Sequence, residues 1–125
     1  MTEVFITKAY LRSHPDEIFV FGDNCKRRGN GGAAKLRNEP NTYGFITKKK
    51  PTHSDGDYYK PGEYKLKYVV EMAKLIRQIM DNPNKTYLIS KLGAGLANRY
   101  NIFQDVIEPD IKKSLASFKN VRFLW

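Results

Sequence analysis

The stretch Glu17-Ile18-Phe19-Val20-Phe21-Gly22-Asp23-Asn24-Cys25-Lys26-Arg27-Arg28-Gly29-Asn30-Gly31-Gly32-Ala33-Ala34 decides the fold class. Its first five residues form a near-continuous apolar run, the mark of a central strand buried on both faces. A polar, glycine-rich turn follows, and Gly32 to Asn38 reads as a short helix opening after it. Working outward, strands are expected at Val4–Thr7, Tyr43–Thr47, Thr86–Ser90 and Val121–Leu124, where β-branched and aromatic residues cluster. Pro61 to Asp81 is the clearest helix. Leu66, Val69, Val70, Ala73, Ile76, Ile79 and Met80 recur at helical spacing and predict its buried stripe, and Asn82-Pro83-Asn84 ends it. Asn101 to Phe118 carries Ile102, Val106, Ile107, Ile111 and Leu115 at helical spacing, with Pro109 placed to kink or split it. Lys49 to Lys60 is polar and turn-rich and reads as a mobile surface loop. Strands alternate with helices, so the chain is an α/β protein with a sheet between helical layers.

Composition bounds the rest. The chain has 125 residues, 41% of them hydrophobic, which suits a single domain over residues 1–125. No apolar run reaches the roughly 20 residues of a membrane span. Met1 to Tyr10 lacks a signal-peptide pattern, and the single cysteine, Cys25, has no internal partner. A cytoplasmic, membrane-free setting is therefore expected. Lys and Arg number 22 against 13 Asp and Glu, giving a formal charge of +9. That excess favours anionic partners such as nucleotides or nucleic acid without choosing among them. The tight basic runs are Lys26-Arg27-Arg28 and Lys48-Lys49-Lys50.

Two loops have the composition of ligand loops, which in open α/β sheets lie beyond the carboxyl ends of strands. The first runs from Gly22 to Ala34; Gly29, Asn30, Gly31, Gly32, Ala33 and Ala34 would bring free N–H groups and a helix N-terminus to a phosphate. It is neither a P-loop nor a dinucleotide fingerprint. The second follows the Thr86–Ser90 strand and contributes Lys91, Gly93, Ala94, Gly95, Leu96, Ala97 and Asn98. Together they would clasp a diphosphate. His14 and His53 lie at no metal-ligand spacing from Cys25, so neither a metal nor a cofactor is expected. Tyr58, Tyr59 and Tyr64 are candidates either to stack on a base or to pack as a lid, and Tyr68 is expected to be structural.

The two loops resemble those of macro domains, in the branch holding the terminal ADP-ribose protein glycohydrolase and the antitoxin that removes ADP-ribose from DNA. Gly29 to Leu36 is similar to the branch's diphosphate loop, and Ser90-Lys91-Leu92-Gly93-Ala94-Gly95-Leu96 to its second loop. Phe45-Ile46-Thr47-Lys48-Lys49 matches its Ile-Thr-Lys-Lys strand end. The order holds from about Ile18 to Trp125, and small phage-encoded proteins look similar throughout, which would place this one in a host cytoplasm. The resemblance implies a macro-like fold with a mixed central sheet, and ADP-ribose or an NAD-derived relative as ligand. It also implies a possible hydrolytic role: Lys48 as nucleophile on the distal ribose, with Asp23 and Asn24 as supporting candidates. The branch's aspartate after the second loop is here Ala97, and Ile6-Thr7-Lys8 offers no acid for adenine. The leading expectation is thus a binding domain. The alternatives are a hydrolase that removes ADP-ribose from protein or nucleic acid or dephosphorylates ADP-ribose 1″-phosphate, and a basic nucleic-acid-binding module with steep salt dependence.

Overall fold

The structure, a computed structural model, describes residues 3–125. Its elements run α1 (Lys8–Ser13), β1 (Glu17–Asn24), β2 (Thr42–Lys48), α2 (Pro61–Asp81), β3 (Thr86–Ile89), α3 (Ile111–Leu115) and β4 (Val121–Phe123). Four strands form one sheet in the order β2-β1-β3-β4. All three pairings are parallel, so among the described residues the sheet is not mixed as expected. The reason is connectivity: every strand-to-strand link passes through a crossover segment, which returns the chain to the same sheet end.

β1 alternates between two cores. Val20 packs with Phe45, Tyr87 and Ile89 against α2 and the Ile102–Leu115 region. Phe19 and Phe21 face the other way, with Leu88, Leu124, Leu11 of α1 and Ala34 and Leu36. A central strand with both faces covered explains the apolar run that opened the reading.

Several segments differ from expectation. Val4 to Thr7 is not a strand; Val4 donates its N–H to Leu124 O at 2.6 Å, and the Thr7 hydroxyl caps α1, a helix the sequence reading lacked. Gly32–Leu36 is a single 3₁₀ turn rather than a helix reaching Asn38. The second expected helix is broken: a π-helical turn over Phe103–Ile107, then turns through Pro109, then α3. Its apolar residues, Ile102, Val106, Ile107, Ile111 and Leu115, are nonetheless all buried.

The largest correction concerns α2, whose bounds match the expectation. Its buried residues are Tyr64, Tyr68, Glu71, Met72, Leu75 and Ile79. Of the expected stripe only Ile79 is buried and Ile76 half-buried; Leu66, Val69, Val70, Ala73 and Met80 face solvent. The tyrosines win because their hydroxyls reach polar partners at the helix's inner face: Tyr64 bonds Ile46 O, and Tyr68 bonds Asp110 at 2.7 Å. Lys49 to Lys60 makes contacts of its own: Lys48 forms a backbone bridge with Tyr58, Lys49 N–H bonds Asp57 O, and Ser54 at the N-cap of a 3₁₀ turn donates its N–H to the Asp57 carboxylate. Among the described residues no helix is long and apolar enough to cross a membrane.

Candidate functional site

From β1 the chain moves to β2 on one side of the sheet, then returns to β3 on the other. The point of reversal lies between β1 and β3, where the loops leaving both carboxyl ends diverge and open a crevice. A cleft of about 800 Å³ lies there. The first loop supplies Gly22, Asp23, Asn24 and the run from Arg28 to Leu36; the second supplies Ser90 to Gly93 and Gly95 to Ala97. Thr47, Lys48, Pro51 and His53 form one further wall, and Glu3 to Ile6 with Phe19 another.

The expected ligand residues Gly22, Gly29, Asn30, Gly31, Gly32, Ala33, Ala34, Lys91, Gly93, Gly95, Leu96 and Ala97 all line this cleft, as do Lys48, Asp23 and Asn24. Ala94 and Asn98 are not on its wall. Asn98 instead caps the π-helical turn, accepting from Phe103 N–H at 3.0 Å and bonding Gln104 at 2.9 Å. Sequence reasoning missed Arg28, Lys35 and His53 on the wall, and the Glu3–Ile6 flank. The last is brought in by the Val4 bond to the chain's far end and by Ile6 packing with Phe19 and Leu124, neither of which a local pattern announces.

The loops touch across the cleft. The Leu96 side chain, 57% exposed, lies over the first loop so closely that a Cβ on Gly31 would stand 2.8 Å from its Cδ1. Gly93 has φ +79°, and a Cβ there would meet Ile107 Cδ1 at 2.5 Å; only glycine fits this turn. The N–H groups of Gly29 through Ala33, and of Gly93, Gly95, Leu96 and Ala97, bond to no other described residue. Nine residues of the cleft wall thus have backbone amides with no partner among the described residues, and the 3₁₀ turn is too short to add a helix dipole.

Charged residues beneath the first loop are already engaged. Asp23, 4% exposed, pairs with Arg37 at 2.5 Å and Arg27 at 3.3 Å through its two oxygens. Arg37 also donates to Arg28 O and Gly29 O, each at 3.2 Å. The carboxylate therefore anchors the arginine that shapes the glycine turn. Asn24 does similar work, donating to Arg28 O at 2.5 Å and accepting from Lys26 N–H at 3.0 Å. The Lys48 amine donates to Thr52 O at 2.6 Å and lies 4.6 Å from the centre of the Tyr58 ring.

The segment after Lys48 forms a strap between the loops. Arg99, just past the second loop, pairs with Asp55 at 2.8 Å and donates to His53 O at 3.3 Å. The Thr52 hydroxyl, the Ser54 N–H and the charges of Lys50 and Lys48 hold the Asp57 carboxyl below the usual carboxylate range. Tyr58 and Tyr64 are buried, so of the three candidate stacking tyrosines only Tyr59 is half-exposed. Its hydroxyl meets Cys25 Sγ at 3.2 Å, and burial raises its pKa, with Cys25 adding to the effect. Among the described residues no group of His, Cys, Asp and Glu is placed to hold a metal ion.

A model of a family of unknown function, DUF7831, matches residues 1–101. No curated protein and no solved structure matches the chain.

Proposed function

The chain belongs to the DUF7831 family, whose function is unknown, and we propose that it binds ADP-ribose, or an ADP-ribose-like nucleotide derived from NAD, in the cleft between its two glycine-rich loops. One observation carries the reading: both loops leave adjacent parallel strands at the topological switch point and line one cleft with residues whose backbone amides bond to no other described residue. Such a crevice is where nucleotides bind in open α/β sheets, with the pyrophosphate on backbone N–H groups. Its volume of about 800 Å³ suits a dinucleotide-sized ligand. Arg28, Lys35 and Lys91 add positive charge, and exposed Val4 and Phe5 offer an apolar flank for a base. The resemblance of the loops to those of macro domains narrows the class to ADP-ribose.

Binding is favoured over hydrolysis because both Asp23 oxygens are held by arginines and Ala97 has no ionisable group to move a proton. The hydrolytic reading keeps one support, the presence of Lys48 on the cleft wall. To act as a nucleophile its amine would have to leave the Thr52 carbonyl and shed its proton.

Titration calorimetry with ADP-ribose, followed by a product assay on ADP-ribosylated protein and DNA, tests the proposal. The expected result is saturable binding without turnover, lost when Gly31→Trp fills the cleft mouth. Heat-silent mixing with ADP-ribose and its 1″-phosphate at millimolar concentration would refute it. Turnover abolished by Lys48→Ala would replace it with the hydrolase.

A further inference from the structure

Among the described residues, the charged groups on the cleft wall are exposed, half-buried or paired with an opposite charge, with one exception. Lys48 is 7% exposed, and the partners of its amine are neutral: Thr52 O at 2.6 Å, Pro51 O at 3.5 Å and the face of the Tyr58 ring. The Asp57 carboxyl feels this charge, but bonds the Thr52 hydroxyl and Ser54 N–H instead. A buried cation held by carbonyls alone is an uncommon arrangement, because a desolvated charge ordinarily recruits a counter-ion.

Both carbonyls belong to the strap. The feet of the strap are fixed: Lys49 N–H bonds Asp57 O at 2.8 Å, and Lys48 forms a backbone bridge with Tyr58. Between the feet, Lys50 and every residue from Thr52 to Gly56 are exposed, and Pro51 is half-buried. No buried apolar side chain holds this stretch down, which is the profile of a segment that opens locally. Its bonds run to its own feet, from Thr52 and Ser54 to Asp57 and from His53 to Tyr58, with one exception. Among the described residues, Arg99 alone bonds the strap from elsewhere in the chain, pairing with Asp55 at 2.8 Å and donating to His53 O at 3.3 Å. Both side chains of that ion pair reach solvent, so it holds weakly and salt screens it.

We infer that the strap is a lid that masks the Lys48 amine, latched by the Arg99–Asp55 pair. With the lid closed, the carbonyls of Thr52 and Pro51 keep the amine engaged. With the lid open, the amine stands on the cleft wall without those partners, free to pair with an anionic group held in the cleft. Anion binding and lid opening then favour each other, since the anion pairs with the amine of the open form. The masking itself goes beyond the nucleotide proposal and is measured with the cleft empty, so failure of ADP-ribose binding leaves it standing.

The test is pulse acetylation of the whole chain with a water-soluble N-hydroxysuccinimide acetate, read residue by residue by mass spectrometry. Lys50, exposed on the same strap, is the internal control. In low salt, Lys48 is expected to react at least about tenfold more slowly than Lys50. Asp55→Asn and Arg99→Ala are each expected to speed Lys48 up to about fivefold, the range of an exposed ion pair, with Lys50 and the thermal melt unchanged. Sodium chloride at half-molar concentration should speed Lys48 in the native chain and not in the variants. Low urea separates lid opening from unfolding: a local opening exposes little surface, so the Lys48 rate should stay flat below the unfolding transition. Lys48 reacting as fast as Lys50 overturns the masking. A rate that neither variant changes overturns the latch, and one that climbs with urea as global unfolding does overturns the lid.

Discussion

At the scale of single residues, the telling feature is a buried carboxylate that anchors the first loop. Asp23 is held between Arg27 and Arg37, and Arg37 in turn grips the carbonyls of Arg28 and Gly29. Neutralising Asp23 leaves the largely buried Arg37 guanidinium without a counter-ion. Removing one partner of such a pair costs about 3 kcal/mol, more than the pair's net worth, because the desolvated charge remains. Asp23→Asn is therefore expected to lower unfolding free energy in urea by about that amount. It should also weaken the proposed nucleotide binding, since the first loop loses its anchor. A change below about 1 kcal/mol, with affinity intact, would show that the ion pair organises nothing.

At the scale of elements, α2 does more than cover the sheet. β2 is an edge strand, and an edge with open amides invites pairing with another chain. Glu71 reaches across to accept the Ile46 N–H at 2.7 Å, while Tyr64 donates to the Ile46 carbonyl. The helix thus closes the edge at its midpoint with side chains. Glu71→Ala strands a buried N–H and opens a small cavity, an expected loss of about 2–3 kcal/mol. Glu71→Gln keeps an acceptor for Ile46 and should lose about half of that. Chemical denaturation of the two variants checks the ordering; equal losses would mean that charge rather than the edge contact matters.

At the scale of the whole molecule, five of the eight tyrosines have phenols pushed above their ordinary pKa of 10, in each case chiefly by burial: Tyr43, Tyr59, Tyr64, Tyr68 and Tyr87. Burial disfavours the charged phenolate, so the fold binds these protons more tightly than the unfolded chain does. The stability they contribute is full below pH 10 and falls as pH rises through the folded-state values. A phenolate absorbance titration should show part of the tyrosine step missing while the chain is folded and recovered abruptly as it unfolds in alkali. A complete step near pH 10, with near-ultraviolet dichroism unchanged, would contradict the packing of α2 against the sheet.

The alternation of strands and helices, the bounds of α2, the break at Pro109 and most of the cleft's glycine loops were legible in the sequence, because each rests on local preference or on a short chemical pattern. The Ser90–Ala97 loop is an example: a buried strand running into small residues needs no distant partner to be recognised. The all-parallel sheet, the Glu3–Ile6 flank, the strap held by Arg99 and the engagement of Asp23 depend on residues far apart in the chain. The same holds for the orientation of α2. Periodicity shows that it has an apolar stripe, and here there are two; which one is buried depends on whether Tyr64, Tyr68 and Glu71 find partners on β2 and Asp110. Those partners exist only once the sheet is assembled, so tertiary structure decided which face became core and which was left exposed.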